Sequence, residues 1–372
     1  MRIAVLTEIP APYRIPLFNA LAARGGVELE IVFLSDRDPV RPYRIYDDEF
    51  RFAWRTLAGP ATTVRGRWTI LNLRTTRTLR RVRPDVVIVG GWNQPAFWLA
   101  LAWSRRRRVP VICWSESTER DARSGSKVAH LMKRAFVHRC SAFLVPGQAS
   151  AEYLNAIGVQ GRPVATAPNA VDNEIFGARV ASLRERRDSL RAELGVTSPL
   201  VLYVGRLDPE KDVGALLAAM NHVDADLVIA GSGSEEAALR RRGGPRTRFL
   251  GRLDRDELVP WYAAADVFAL PARSDQWGMV LNEAIAAGLP VVTTEAPGGA
   301  WDLVDDAANG FRVPTGDVEA LAAALRRIVE DPLFAERARA RSLELALGFT
   351  PEGWAAAVEE ICLRVRTRPV LG

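Results

Sequence analysis

The chain of 372 residues is 48% apolar and 25% charged, with three cysteines and a net charge of +6. That composition excludes a disordered or disulfide-stapled protein, and the length allows two cores. No apolar run reaches the ~18–20 residues of a membrane span, and the opening Met1–Pro10 stretch lacks the apolar core and cleavage site of a signal peptide, so a cytoplasmic protein is expected. Residues 1–170 carry 26 Lys+Arg against 13 Asp+Glu, a balance of +13, and the remainder carries −7. So basic a first half points to an anionic partner such as a membrane surface, a lipid phosphate or an acidic glycan, and on charge alone a nucleic acid. Yet 47 of the 50 basic residues are Arg, which fits a compositional habit equally well.

In chain order, short β-branched runs alternate with amphipathic segments. Strands are predicted at 3–6, 30–34, 86–89, 109–114 and 142–145, with helices at 15–24, 71–82, 95–107, 127–139 and 149–157 between them. The polar stretch 180–193, rich in Arg and Glu, reads as a linker or as a solvated helix. A second series follows, with strands at 200–204, 227–230, 248–250, 267–270 and 290–293, and helices at 213–220, 235–242, 257–264, 279–287 and 318–329. Apolar strands alternating with helices imply parallel sheets covered on both faces. The fold class expected is α/β, with two doubly wound Rossmann-like domains, 1–178 and 179–350, facing each other across a cleft. A last helix over 351–365, in the segment 351–372, is expected to cross back to the first domain. Ligands of such sheets bind at the carboxyl ends of the strands.

The second half carries the denser chemistry. A buried strand ends at Gly205, and Arg206 and Lys211 follow just before a helix. Two cations there suit a diphosphate, Arg by a bidentate grip and Lys as a point charge. The alternative is that Arg206 pairs with Asp208 or Glu210 in a surface turn. Gly231-Ser232-Gly233 is a second strand-to-helix turn, either a nucleotide contact or a tight turn with Ser234 capping the helix. Asp275 and Glu283 lie eight positions apart across Gly278, with Glu283 in the helix that Met279 and Val280 begin. Carboxylates beside a helix N-terminus suit sugar hydroxyls, and its free N–H groups suit phosphate.

These blocks, in this order, resemble family 4 of the retaining glycosyltransferases, also called glycosyl transferases group 1, of GT-B fold. Pro168-Asn169-Ala170-Val171-Asp172 is similar to that family's Pro-Asn-Gly-Val-Asp, and 287–292 to its Ala-Gly-Leu-Pro-Val-Val run. The resemblance covers about residues 140–330. It implies a hexosyltransferase that moves a sugar from a UDP-, GDP- or TDP-sugar to a hydroxyl of a glycan, lipid-linked or small-molecule acceptor, with retention. The second domain would bind the donor and the first the acceptor. Arg206 and Lys211 would hold the diphosphate, Glu283 the ribose hydroxyls, and Asp275 would stand where the family carries a Glu on the transferred sugar. Gly205, Gly231, Ser232, Gly233, Gly278, Met279 and Val280 would line the donor site.

Two departures stand out: Asp275 is one methylene shorter than Glu, and the His expected after a first-domain strand is not evident at 111–117, where Glu116 is the polar candidate. Glu116 either touches a sugar hydroxyl or caps a turn. At the first strand end, Tyr13 and Arg14 are acceptor-site candidates, the alternative being a proline-shaped helix entry with Arg14 in solvent. Trp92 and Asn93 follow a glycine pair, and Trp92 either stacks on a sugar or packs in the protein. The D-x-D strings at 36–38, 224–226 and 254–256 sit at strand edges or a helix start. With Arg206 and Lys211 present no metal or other cofactor is expected. His130, His138 and His222 have no ligand-spaced partners. The Trp98–Trp103 run before four arginines reads as a membrane-surface helix or as a crossover helix packed on a sheet. The rival functions are a GT-B epimerase or phosphorylase, and an anion- or membrane-binding protein without turnover.

Overall fold

The computed structural model describes residues 1–36, 44–57, 59–64, 67–120 and 127–367. It contains two compact units. The first holds β1 (Arg2–Thr7), α1 (Ile15–Ala22), β2 (Glu28–Phe33), β3 (Ala53–Thr56), a hairpin of β4 (Ala61–Val64) and β5 (Arg67–Ile70), α2 (Thr75–Val82), β6 (Val86–Val89), α3 (Pro95–Arg107), β7 (Val111–Trp114), α4 (Lys127–Val137), β8 (Ala142–Val145), α5 (Gln148–Ala156) and β9 (Val164–Thr166). Its main sheet runs β3-β2-β1-β6-β7-β8-β9, parallel throughout. Val5 of the central strand pairs with Ile31 on one side and Ile88 on the other, and all three are shut off from solvent. That is why these strands are apolar throughout rather than alternating.

The second unit holds α6 (Asn173–Arg184), α7 (Arg187–Glu193), β10 (Leu200–Val204), α8 (Val213–Met220), β11 (Asp226–Ala230), α9 (Glu236–Arg242), β12 (Thr247–Gly251), α10 (Arg255–Ala264), β13 (Val267–Leu270), α11 (Met279–Ala286), β14 (Val291–Thr294), α12 (Ala300–Leu303), β15 (Gly310–Val313), α13 (Val318–Val329) and α14 (Pro332–Ala346). Its parallel sheet runs β12-β11-β10-β13-β14-β15. The last helix, α15 (Pro351–Arg366), belongs to the first unit, where it packs on α1 and β9. Trp354 of α15 meets Trp114 at 5.2 Å and Phe18 at 6.1 Å between ring centroids.

In each sheet the chain reverses its direction of strand addition beside the central strand. The first unit does so between β1 and β6, the second between β10 and β13. Loops leaving the two strands then part to opposite faces and open a crevice at their carboxyl ends.

Three expectations need correction. The stretch 180–193 is no linker: it forms the end of α6 and all of α7, and Val180 and Leu190 are buried in the second unit's core. Residues 169–178 also pack with the second unit, so the chain leaves the first one at Pro168 rather than at 178. Helix α2 begins at Thr75 rather than Leu71, because buried Asn72 donates to the carbonyls of Leu34 and Leu57 and fixes a turn there, while the Thr75 hydroxyl donates to the Asn72 carbonyl.

Candidate functional site

In the second unit, the turns after β10 and β11 lie side by side. The Gly205 amide donates to the Ala230 carbonyl, the Leu207 amide to Ser232, and the Gly231 amide to Gly251. A Cβ at Gly231 would come within 1.8 Å of the Gly205 carbonyl oxygen, and its φ is +152°, so close backbone approach requires glycine here. Ser234 does not cap α9. Its amide and hydroxyl both donate to the Asp208 carboxylate, at 3.0 and 2.9 Å. Burial works against the charge of Asp208, but these bonds and then Arg206 and Lys211 hold its pKa below the ordinary value. Arg206 makes ion pairs with both Asp208 and Glu210, the surface-turn alternative of the sequence. Its side chain remains 36% exposed.

Lys211 reaches across the switch point. It follows β10, and its ammonium pairs at 2.5 Å with Asp275, in the loop after β13. The amides of Arg273 and Ser274 donate to the Glu210 carbonyl and hold the two loops together. On the other side, the Gly298 and Gly299 amides donate to the carbonyls of Asp275 and Trp277. Trp277 is buried, and its indole N–H donates to Asn282 of α11, whose own amide donates to the Asn169 carbonyl. The Pro-Asn-Ala-Val-Asp segment is thereby tied to the helix that carries Glu283, while Asp172 caps α6.

Gly278, at φ +87°, turns the chain into α11, and Met279 and Val280 follow half-buried. Glu283, one turn further, accepts a hydrogen bond from the Tyr262 hydroxyl at 2.6 Å. Burial pushes the Glu283 carboxyl above its ordinary pKa, and the Tyr262 bond partly opposes this. Tyr262 had no sequence signal: it lies inside α10, and only the packing of α10 against the sheet brings it to α11.

The first unit gathers a separate polar set at its own switch point. Glu8, just after β1, accepts from the side-chain amides of Asn93 at 2.7 Å and Gln94 at 3.0 Å, both just after β6. Glu8 and Gln94 were not singled out from sequence, although Glu8 stands where a strand end meets its loop. Arg14 is not in solvent. Its guanidinium lies over the Trp114 ring at 4.4 Å and donates to the Thr7 hydroxyl at 2.6 Å and to Glu116 at 3.3 Å. Burial opposes this charge, yet Glu116, then Tyr13 and Glu8, raise the Arg14 pKa above its ordinary value. Trp92 is half-buried on the first unit's core, and its carbonyl accepts from the Trp98 indole. Trp98 and Trp103 belong to the crossover helix α3, with Arg105–Arg108 exposed beyond them.

Of the D-x-D strings, 36–38 lies partly outside the described residues. Asp224 and Asp226 both pair with Arg246, and Asp254 forms a capping box with Glu257 on α10. Among the described residues no three His, Cys, Asp or Glu side chains are grouped to hold a metal ion, and no helix is long and apolar enough to cross a membrane.

Residues 17–175 match the family model described as Glycosyltransferase Family 4, and residues 186–344 the model described as Glycosyl transferases group 1. The glycogen synthase of Mycobacterium tuberculosis is 31% identical over 335 residues, which cover 84% of this chain and 76% of that one. A sulfoquinovosyl transferase of Arabidopsis thaliana is 35% identical over 281 residues, 70% of this chain and 53% of its own. Among solved structures, Anabaena HepE in complex with UDP superposes with a TM-score of 0.79 at 18% identity, covering 98% of this chain and 100% of that one. The sucrose-phosphate synthase of Thermosynechococcus elongatus gives 0.73 at 19%, covering 98% and 99%. These last two likenesses are of fold. Two family models in tandem and a relative matched over most of both chains establish that this chain belongs to glycosyltransferase family 4, with the GT-B fold, and is a hexosyltransferase.

Proposed function

We propose that the chain transfers a hexosyl group from a nucleoside diphosphate sugar to an acceptor hydroxyl in glycan or glycolipid synthesis, with retention and without a metal. The observation that carries this reading is the contact between Lys211 and Asp275 across the second unit's switch point, flanked by the glycine turns and the α11 N-terminus. Arg206 and Lys211 would take the diphosphate, exchanging their present carboxylate partners for phosphate oxygens. Gly205, Gly231, Ser232 and Gly233 let the donor approach the backbone, and the first amides of α11, from Gly278 through Met279 and Val280, face the same anion. Glu283 would accept the ribose hydroxyls, and Asp275 would accept those of the sugar. The bond from the anomeric carbon to the diphosphate breaks while the acceptor oxygen bonds to that carbon on the same face. The acceptor proton leaves on the departing phosphate. Arg206, Lys211 and the helix N-terminus offset the charge that develops there, which is the work a divalent cation does elsewhere.

The acceptor belongs, on this reading, to the carboxyl edge of the first sheet. Tyr13, Arg14, Trp92, Asn93 and Glu116 stand there, and Asn93 and Arg14 already hold the carboxylates of Glu8 and Glu116 in fixed orientations. Those oxygens suit the hydroxyls of a polyol. A further relative, in Corynebacterium glutamicum, 35% identical over 183 residues (45% of this chain and 47% of that one), is named as a mannosyltransferase of a monoacylated phosphatidylinositol monomannoside, which keeps lipid-linked acceptors within the proposal. Val128, Leu131 and Met132 are exposed on α4 beside exposed Lys127 and Arg134, an amphipathic face suited to an anionic bilayer. Co-sedimentation with phosphatidylglycerol vesicles, lost in Leu131→Glu, is expected. Equal pelleting of both proteins would remove the membrane contact.

The main test is a panel of UDP-, GDP- and TDP-sugars, read by thermal shift and nucleotide release, on wild-type and Lys211→Ala protein. One donor is expected to stabilise the wild type and to release its nucleotide when acceptor is added, and Lys211→Ala is expected to lose both responses. Binding unchanged in Lys211→Ala would move the donor elsewhere. Release of product whose anomeric configuration is inverted would overturn retention.

A further inference from the structure

The second unit also concentrates positive charge at the amino edge of its sheet, the end opposite the glycine turns. Arg184 of α6, Arg187 and Arg191 of α7 and Arg339 of α14 converge on the chain from Tyr262 to Asp266, where α10 ends and β13 begins. Asp266 accepts from Arg187 at 2.6 Å and Arg191 at 3.0 Å, and lies 3.6 Å from Arg339. The carbonyl of Ala264 is shared by Arg187 and Arg191, and that of Ala265 by Arg187 and Arg339. Arg184 donates to the Tyr262 carbonyl at 3.1 Å.

Donors outnumber acceptors in this cluster. Each guanidinium carries five N–H groups, acceptors are shared, and the Nε atoms of Arg184 and Arg187 are buried with no partner. Charge is also unbalanced: among the described residues, four arginines meet a single carboxylate and the roughly half-unit negative end of α10. Burial, then Arg339 and Arg187, lowers the Arg184 pKa to about 9, as crowded like charges must. The cluster borders solvent, since the side chains of Arg191, Arg339 and Arg187 keep 13%, 22% and 27% of their exposure, while the unpartnered Nε atoms lie beneath that surface.

We propose that Arg184, Arg187, Arg191 and Arg339 form a second anion site, separate from the donor site, for a phosphate-type dianion: free phosphate or the phosphomonoester of a small metabolite. Such an ion brings the missing acceptor oxygens and two negative charges together, and guanidinium forks match its geometry. Asp266 stays in place as the anchor of the arginines, and the anion takes the donors that it leaves unused.

The test uses the full chain carrying Lys211→Ala, so that phosphate at the proposed donor site does not contribute. The outcome is then independent of whether the donor reading stands. Inorganic phosphate is titrated against sodium chloride of equal ionic strength, with Tm and equilibrium dialysis of labelled phosphate as readouts. The expected result is a phosphate-specific rise in Tm and saturable binding, weakened about tenfold or more by Arg339→Gln or Arg184→Gln, since each removes charge-assisted bonds. Arg339→Lys keeps the charge and serves if the Gln variant does not fold; it is expected to bind with intermediate affinity. Binding of glycerol 3-phosphate alongside phosphate identifies a monoester site, and binding of phosphate alone a free-ion site. A phosphate response no larger than that of chloride, or one unchanged in the Arg339 and Arg184 variants, overturns the proposal.

Discussion

At Glu283 a carboxyl sits where burial disfavours its charged form, a perturbation of the kind that binding sites share with buried structural pairs, and the ribose contact proposed above separates the two. Its folded pKa is raised, by burial first, with the Tyr262 hydrogen bond opposing. The folded state therefore binds its proton more tightly than the unfolded chain does, and stability from this group falls as pH rises from the ordinary carboxylate range through the raised value. Glu283→Gln keeps an acceptor for the Tyr262 hydroxyl and removes the charge. The expected outcome at pH 7 is protein as stable as wild type or slightly more so, with nucleotide affinity about tenfold weaker, the difference between a charge-assisted and a neutral hydrogen bond. Urea unfolding and nucleotide titration on the same preparation check both halves. Lower stability together with unchanged affinity would make Glu283 a structural residue. The placement of Lys211 and Asp275 at neighbouring strand ends was legible in sequence, because glycines, cations and carboxylates there have spacings that local geometry enforces. What was not legible came from contacts remote in sequence: Tyr262 of α10 against Glu283 of α11, Glu8 with Asn93 once β1 and β6 pair, and Arg14 against Trp114, two strands away from β1 in the sheet.

Among the elements, α7 shows how a polar pattern can conceal a packed helix. Its mixed charges read as a linker or a solvated helix; it is a helix but not a solvated one, since Leu190 fills the core and Arg187 and Arg191 reach the edge of the sheet, where Asp266 ties them to the first amide of β10. Strands buried on both faces announce themselves by composition, as β1, β6, β10 and β13 do. Edge elements such as β3, with three of its four residues exposed, carry no such signal and were missed. Burial raises the Asp266 carboxyl, but Arg187, the Leu200 amide and Arg191 more than offset it, leaving the pKa below its ordinary value. The sign is thus opposite to that at Glu283: stability from Asp266 is present above the unfolded carboxylate pKa and is lost as pH falls through the folded one. Asp266→Asn leaves its arginines without a counter-charge and is expected to cost the second unit about 2–4 kcal/mol at pH 7. The gap between mutant and wild type should narrow as the solution is acidified through the carboxylate range. Urea midpoints at a series of pH values read this, and a pH-independent difference would assign the loss to packing.

On the scale of the whole molecule, the order of the sequence and the order of assembly differ. The chain builds most of its first unit, leaves at Pro168 to build the second, and returns at Pro351 with α15. That helix is structural to the first unit: Trp354, Ala355, Val358, Ile361, Cys362 and Val365 are buried, and Trp354 joins Phe18 and Trp114 in one aromatic group. Losing a buried Trp alone costs on the order of 3–5 kcal/mol, a large share of what a domain has to lose. A chain ending at Thr350 is therefore expected to keep the second unit folded while the first becomes open to protease. The cleavage sites should fall before Pro168, and near-ultraviolet circular dichroism should lose the signal of the Trp114 environment. A peptide of residues 351–372 added in trans is expected to restore protection, because α15 docks through side chains on one helix and needs no covalent link to bury them. The same truncation tests the division of labour proposed above. If the donor is held by the second unit, nucleotide binding survives the loss of α15, whereas transfer to acceptor stops and returns with the peptide. Simultaneous loss of nucleotide binding would place part of the donor site on the first unit.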